Sequence, residues 1–154
     1  MKYNYLNYYD FEVAIDQIIS QIAQGGNEYQ LIVAPARGGL IPGTVLSHSL
    51  GVPLEPVVWS TRDFNEDNQW PPRLTQIIHI KQIKNILIVE DIVDSGRTVK
   101  EITVVLKDQF PDIKIDVATV VENVAQEQIS VQYSGIQIDR NVDDRWVNFW
   151  WEQK

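Results

Sequence analysis

Three carboxylates stand where a predicted buried strand gives way to a helix. Residues 86–89 form an unbroken aliphatic run, Glu90 and Asp91 follow it directly, and Asp94 comes shortly after them. Such a run is typical of a central parallel strand that is covered on both faces. Ligands of open α/β sheets bind at the carboxyl ends of these strands. The acids are therefore placed to hold sugar hydroxyls or a divalent cation, or to accept a proton.

The next stretch, residues 95–98, has the features of a phosphate site and is called the phosphate turn below. It reads Ser-Gly-Arg-Thr and opens a predicted helix. It supplies hydroxyls, backbone N–H groups and the positive end of the helix dipole, a combination that suits a phosphate monoester. The alternative is a strand followed by a solvated acidic loop, because single acids at strand ends are common.

The whole run, residues 86–98, resembles the phosphoribosyl-diphosphate (PRPP) signature of the type I phosphoribosyltransferases. That signature is a hydrophobic strand, two acids, two aliphatic residues, an acid, Ser or Thr, Gly, any residue and Thr. The resemblance implies that Glu90 and Asp91 hold the ribose hydroxyls and bind metal. It implies that Asp94 contacts PRPP and acts as the general base at N7 of a purine. The 5′-phosphate would bind to Ser95, Gly96, Arg97 and Thr98.

A glycine-rich turn at residues 34–43 reads Ala-Pro-Ala-Arg-Gly-Gly-Leu-Ile-Pro-Gly. It has neither the Gly-x-Gly-x-x-Gly spacing of a dinucleotide site nor the Gly-Lys-Ser/Thr of a Walker A loop. By itself it is more typical of a tight structural turn. It resembles the diphosphate-binding loop of bacterial xanthine-guanine phosphoribosyltransferases, which implies that Arg37 and Gly38 contact the diphosphate. The resemblance also predicts a cis peptide at the Arg37–Gly38 bond.

The chain closes with an aromatic run, residues 146–151, that contains three tryptophans. Such a run is typical of core packing or a subunit interface, and equally of a hood that stacks on a flat heterocycle. It resembles the purine-binding stretch of the bacterial enzymes. By that resemblance Trp146 stacks on the base, the backbone of Val147 reads the base edge, and Glu152 supports a metal ion.

The base edge is where the sequence departs from the family pattern. The 6-oxopurine enzymes carry a lysine that donates to O6 of the base, after the strand that we predict at residues 113–121. Asn123 stands there in this chain, with a hydrogen-bond donor but no charge. We therefore expect Asn123 to contact the base and to select weakly for a 6-oxo group. Arg145 and Arg62 are the candidates for a replacement cation.

Strands and helices alternate along the chain, which predicts an α/β fold with a parallel sheet flanked by helices. The resemblance implies the type I phosphoribosyltransferase fold, with a small hood formed by the terminal segments. Helices are predicted at residues 10–26, with Asp10 as N-cap, from the glycine-rich turn to 50, and at 98–109. Strands are predicted at residues 31–34, 52–59, 76–80, 86–89, 113–121 and 135–139. A polar loop at residues 60–74 is expected to close over the site.

Composition limits the function classes. The length suits one domain, so we expect residues 1–154 to form a single phosphoribosyltransferase domain. A net charge of −8 argues against a nucleic-acid surface. No apolar run approaches the length that spans a bilayer, and the first residues lack the apolar segment of a signal peptide. The absence of cysteine fits a cytoplasmic protein.

Together, these features and the resemblance predict a purine phosphoribosyltransferase. It would transfer the 5-phosphoribosyl group from PRPP to hypoxanthine, guanine or xanthine and release diphosphate. We expect Mg²⁺ as cofactor, PRPP and a purine base as partners, no nucleic acid or membrane, and a homodimer or homotetramer. The alternatives are a phosphoribosyltransferase for a different base, a non-catalytic regulator that senses PRPP or nucleotides, and a receiver-like domain, which the phosphate turn disfavours.

Overall fold

The main sheet has five strands, all parallel, with helices on both faces. The computed structural model describes residues 3–61 and 68–153. The elements in chain order are β1 (Tyr3–Leu6), α1 (Tyr8–Gly25), β2 (Leu31–Ala36), α2 (Leu40–Leu50), β3 (Leu54–Val58), α3 (Pro72–Ile80), β4 (Asn85–Val93), α4 (Arg97–Gln109), β5 (Lys114–Asn123), β6 (Tyr133–Ile138), β7 (Trp146–Phe149) and a 3₁₀ turn (Trp150–Glu152). The sheet order is β3-β2-β4-β5-β6, which confirms the predicted architecture. No helix within the described ranges is long and apolar enough to cross a bilayer.

Strand β4 lies at the centre of the sheet, and its side chains alternate between two cores. Ile86 and Ile88 belong to the core that includes α3 and α4, while Leu87 and Val89 belong to the core that includes α1 and α2. All of them are fully buried, as the unbroken aliphatic run predicts, because successive residues of a strand face opposite sides. The helices contribute Ile18 and Leu46 to one core and Leu74, Ile78, Ile102 and Leu106 to the other.

The two ends of the chain meet in a second, two-stranded sheet that forms the hood. Strands β1 and β7 pair in parallel, with Leu6 opposite Phe149. The ring of Trp151 stacks on Phe149 at 4.5 Å between centroids and meets Phe11 of α1 edge-on at 5.5 Å. Aromatic packing therefore fixes the hood to the body of the protein, and the terminal segments form it as predicted.

Helix α1 begins earlier than the sequence analysis predicts. Its N-cap is Asn7, whose Oδ1 accepts a hydrogen bond from the Asp10 N–H at 2.9 Å. Asp10 Oδ2 accepts in return from the Asn7 N–H at 3.1 Å, which completes a capping box. Asp10 is thus the third residue of the helix and not its N-cap. The prediction chose the wrong residue of the two because Asn and Asp are both favoured at the N-cap position.

The predicted strand at residues 76–80 is wrong, since this segment is the end of α3. Pro72 occupies the first turn of that helix, where its missing N–H is not needed. Leu74 and Ile78 are one helical turn apart and both are buried, while Ile80 is exposed. The β-branched residues favour a strand locally, but the spacing of the residues that reach the core is helical.

The crossing of α1 over β6 depends on Gly135. A Cβ added at Gly135 would lie 2.4 Å from Cβ and 2.8 Å from Cα of Ala14, so the helix backbone would have to move. We expect Gly135→Ala to lower the free energy of unfolding by about 1–3 kcal/mol, the usual cost of overpacking a core. The matched control is Gly25→Ala, whose new Cβ would have its nearest neighbour at 3.5 Å. Urea denaturation measures the stability of the two variants. Equal denaturation midpoints for Gly135→Ala and Gly25→Ala would contradict the role of Gly135 in the packing of α1 on β6.

Candidate active site

A cleft lies at the carboxyl end of β4, beside the point where the order of the sheet reverses. From β2 the chain continues to β3 on one side, and from β4 it continues to β5 on the other. Open α/β sheets bind ligands at such a switch point. The cleft measures about 250 Å³ and is lined by Glu90, residues 92–99, Thr61 and Trp146. It therefore joins the acidic strand end, the phosphate turn and the predicted stacking residue.

The two acids at the end of β4 are oriented by the backbone. Glu90 is buried, and its Oε1 accepts a hydrogen bond from the Asp91 N–H at 3.2 Å. Asp91 Oδ1 accepts from the Ile92 N–H at 2.7 Å. Residues 3–61 and 68–153 contain no group of three His, Cys, Asp or Glu side chains that could hold a metal by itself. Mg²⁺ commonly binds one or two carboxylates together with substrate phosphates, so this pair fits a cation that arrives with a diphosphate.

The glycine-rich turn after β2 packs directly against the second of these acids. A Cβ added at Gly38 would lie 2.1 Å from Asp91 Oδ2, so a larger residue would displace the carboxylate. The Arg37 side chain is exposed. A cis peptide is present, but it joins Ala36 to Arg37, and the prediction for the Arg37–Gly38 bond is therefore wrong. The contact brings the predicted diphosphate loop next to the predicted metal and ribose ligands.

The phosphate turn begins α4, with Gly96 as N-cap. Gly96 has a φ of 78°, the left-handed region that favours glycine, and an added Cβ would lie 2.9 Å from Gln126 Oε1. The Arg97 N–H donates to Ser95 Oγ at 3.4 Å. A helix N-terminus flanked by hydroxyl groups is a favourable environment for an anion.

Side chains from outside the signature also border the phosphate turn. Thr61 lines the cleft, and its hydroxyl lies 3.1 Å from that of Thr98. Glu101 accepts from Trp59 Nε1 at 2.9 Å and from Arg97 Nε at 2.8 Å. The hydrogen bonds from Trp59 and Arg97 lower the pKa of Glu101. Thr61 was not singled out from the sequence, because one threonine within the polar loop predicted at residues 60–74 carries no signal of its own.

Asp94 is ion-paired with Arg140, a residue that no motif in the sequence indicates. Arg140 Nε donates to Asp94 Oδ1 at 2.9 Å, and Arg140 Nη2 lies 3.5 Å from Asp94 Oδ2. The side chains of Arg140 and Asp94 are 17% and 26% exposed. Arg140 Nη1 donates to the carbonyl of Arg145, and its Cζ lies 5.8 Å from the centre of the Trp146 ring, within cation–π range. One guanidinium therefore links the predicted general base to the predicted stacking residue.

Both the Nδ2 and the Oδ1 atoms of Asn123 form hydrogen bonds with backbone groups. Its Nδ2 donates to the Asp94 carbonyl at 3.0 Å, and its Oδ1 accepts from the N–H groups of Ala125 at 3.1 Å and Arg140 at 3.2 Å. The residue is only 7% exposed. This use of the amide conflicts with the predicted contact between Asn123 and the base edge, and gives Asn123 the role of tying three loops together.

Of the two replacement cations suggested by the sequence, the structure describes only Arg145. The Arg145 side chain forms an ion pair with Asp143 at 2.6 Å, and its hydrogen bonds lower the pKa of that carboxyl group. Arg62 lies outside the described residues. The basic side chain that the structure places beside Asp94 is instead Arg140, which follows β6 and therefore stands at the same edge of the sheet as the signature.

The aromatic run divides between site and core. Trp146 is half-buried and lines the cleft, whereas Val147 is buried within β7. Trp150 packs edge-on against Tyr8 with ring centroids 5.6 Å apart. Glu152 Oε2 accepts from the Phe149 N–H at 2.9 Å and caps the last turn. Within the described chain, Glu152 is not among the residues that line the cleft, so its predicted metal role has no support from this geometry.

This combination of fold and site defines a class of enzyme, the type I phosphoribosyltransferases. The model of the phosphoribosyl transferase domain family matches residues 4–151, almost the whole chain. The chain belongs to this family and is a phosphoribosyltransferase.

Known relatives agree with the assignment. A xanthine-guanine phosphoribosyltransferase from Idiomarina loihiensis is 25% identical over 126 residues, which cover 81% of this chain and 72% of that protein. The solved Helicobacter pylori xanthine-guanine-hypoxanthine phosphoribosyltransferase has a TM-score of 0.74 at 20% identity, covering 97% of this chain and 92% of the other. A hypothetical protein from Neisseria gonorrhoeae with bound ppGpp has a TM-score of 0.76 at 22% identity, covering 99% and 91%. The structural similarities confirm the fold.

Proposed function

We propose that this enzyme transfers the phosphoribosyl group of PRPP to a purine base, with hypoxanthine, guanine or xanthine as acceptor. The observation that carries the proposal is the composition of one cleft. Glu90, the phosphate turn and Trp146 line the same space of about 250 Å³. Each suits a different part of a nucleotide: an acid for the sugar hydroxyls, a helix N-terminus for the phosphate and an aromatic ring for the base.

In this reaction a ring nitrogen of the base bonds to C1 of the ribose as the bond from C1 to the diphosphate oxygen breaks. The transition state has oxocarbenium character, so the site must stabilise a developing cation and a departing anion together. Arg37 and the backbone at Gly38 are assigned to the diphosphate. Glu90 and Asp91 are assigned to the ribose hydroxyls.

The remaining groups are assigned to the base and to the 5′-phosphate. Asp94 accepts or relays the proton at N7 of the base, since Arg140 links its carboxylate to the Trp146 ring. The 5′-phosphate binds to the hydroxyls and N–H groups of Ser95, Gly96, Arg97 and Thr98. Thr61 adds a hydroxyl at the same place. Val147 is assigned to the base edge through its backbone.

We expect PRPP binding to require Mg²⁺ and the acidic pair. Without a counter-ion, a protein of net charge −8 with Glu90 and Asp91 beside the diphosphate loop repels that ligand. When bound, Mg²⁺ neutralises charge on the diphosphate. Calorimetry with Mg²⁺ and with excess chelator should show PRPP binding only in the first case. Inosine monophosphate, which has no diphosphate, is the control ligand and should depend on Mg²⁺ far less.

The acidic pair is tested in the same titration. The double variant Glu90→Gln/Asp91→Asn keeps the shape of both side chains and should lose the Mg²⁺-dependent part of PRPP binding. PRPP binding that is undiminished in chelator, or in this variant, would count against the assignment.

A purine is favoured as acceptor because the Idiomarina loihiensis relative is a xanthine-guanine phosphoribosyltransferase and because Trp146 offers a flat surface for a fused ring. The test is diphosphate release from PRPP with hypoxanthine, guanine, xanthine, adenine or uracil. Release with one of the three oxopurines supports the proposal, and release with uracil alone would move the enzyme to a different acceptor class.

A second candidate is a non-catalytic nucleotide sensor. The observation in its favour is that the Neisseria gonorrhoeae protein, which has the same fold, was crystallised with ppGpp. A sensor would bind a guanine nucleotide such as ppGpp without converting PRPP. Calorimetry with ppGpp alongside the base assay separates the two, because binding without any base-dependent diphosphate release is the result expected only of a sensor.

A further inference from the structure

Arg140 connects the two halves of the site. Its Nε and Nη2 face the carboxylate of Asp94, at 2.9 Å and 3.5 Å. Its Nη1 donates to the carbonyl of Arg145, which belongs to the peptide unit immediately before Trp146. Asp94 and Trp146 come from distant parts of the sequence, on the loop after β4 and on the hood. A single planar guanidinium therefore spans the distance from the acid to the backbone of the aromatic residue.

The backbone of Arg140 is fixed as well. Asn123 Oδ1 accepts from the Arg140 N–H at 3.2 Å, and Asn123 Nδ2 donates to the Asp94 carbonyl at 3.0 Å. Asp94 and Arg140 are thus joined twice, through their side chains and through the buried amide of Asn123. Such a closed ring of hydrogen bonds restricts the carboxylate more than a single surface ion pair would.

We propose that Arg140 is a positioning residue that holds the Asp94 carboxylate at a fixed place relative to Trp146 and the base stacked on it. The proposal rests on the proposed function, because it concerns how Asp94 is positioned as the general base. A misplacement of about 1 Å at a reacting group can cost about 10²-fold in rate. Arginine suits the task because its donors lie in one rigid plane, so a side-on pair with a carboxylate sets an orientation as well as a distance.

The test is a double-mutant cycle between Arg140 and Asp94, read in kcat for the best oxopurine. Arg140→Gln is expected to lower kcat by about 10²-fold while leaving the dissociation constant of PRPP close to that of the wild type. In the Asp94→Asn background the same substitution should cause a much smaller further loss, because the group that it positions no longer accepts the proton. Arg140→Lys should recover only part of the rate, since it restores the charge without the planar fork.

The matched control is Arg73→Gln. It also removes the arginine of an ion pair, because Arg73 pairs with Glu55 at 3.2 Å, and neither residue is among the described residues that line the cleft. It should therefore keep kcat close to the wild-type value. If Arg140→Gln does not fold, the comparison of Arg140→Lys with Arg73→Lys gives the same test.

Each outcome bears on one claim. Equal losses from Arg140→Gln in the wild-type and Asp94→Asn backgrounds would overturn the positioning role while leaving the proposed function intact. Full activity of Arg140→Lys, or a loss confined to PRPP binding, would overturn it as well. A wild-type protein without base-dependent turnover would instead refute the proposed function.

Discussion

Replacing Asp94 by asparagine is expected to lower kcat by about 10²–10⁴-fold, the usual contribution of a general base. The substitution keeps the shape of the side chain and a hydrogen-bonding oxygen for Arg140, but it removes the proton acceptor. The affinity for PRPP should change little, because the phosphate turn and the acidic pair remain. Steady-state kinetics with a saturating base, together with calorimetry for PRPP, separate the two effects.

Glu55→Gln is the control for this change. Glu55 is also ion-paired with an arginine, Arg73, at 3.2 Å, but it lies on β3 and is not among the described residues that line the cleft. It should leave kcat unchanged. If Asp94→Asn also leaves kcat unchanged, the proton-accepting role of Asp94 is wrong.

Removal of the Trp146 ring is expected to raise KM for every accepted base. Stacking of a base on an aromatic side chain contributes about 1–3 kcal/mol, which corresponds to an increase of about 5- to 150-fold in KM for Trp146→Ala. Trp146→Phe should recover much of the affinity, since it keeps a π-surface. The KM for PRPP is the internal reference and should stay near the wild-type value.

A second tryptophan provides the matched control. Trp150 is partly buried against the core and packs edge-on against Tyr8, and its buried Nε1 has no hydrogen-bond partner among the described residues. Trp150→Phe should therefore lose no hydrogen bond and should leave the KM for the base unchanged. A rise in KM for the base with Trp150→Phe but not with Trp146→Ala would contradict the assignment of Trp146 to base binding and of Trp150 to packing.

The central elements of the fold were predictable because local pattern and burial agree there. The aliphatic run of residues 86–89 is a buried strand, and the helix predicted at residues 98–109 is α4, Arg97–Gln109. The strand prediction for residues 76–80 failed because their β-branched side chains favour a strand, while contact with the core is made at helical spacing by Leu74 and Ile78. Tertiary packing determined the conformation of that segment, and packing cannot be inferred from a short apolar run.

The candidate site was predictable only where its residues are neighbours in sequence. Glu90, Asp94, the phosphate turn and Trp146 line one cleft, as the motifs indicate. Arg140 was missed because its significance is purely spatial: it follows β6 with no motif around it and reaches Asp94 only after the sheet forms. Asn123 was assigned to the base by its position after β5, but its amide is used by the backbone of three loops.

The most direct test of the central claim is to identify the products formed from PRPP, Mg²⁺ and an oxopurine. The account predicts a nucleoside monophosphate that contains the added base, formed in equal amount with diphosphate, and neither product when the base is left out. Mass spectrometry of the nucleotide and an enzymatic assay of diphosphate measure the two sides. Diphosphate released without base, or no nucleotide with any purine tested, would contradict the account.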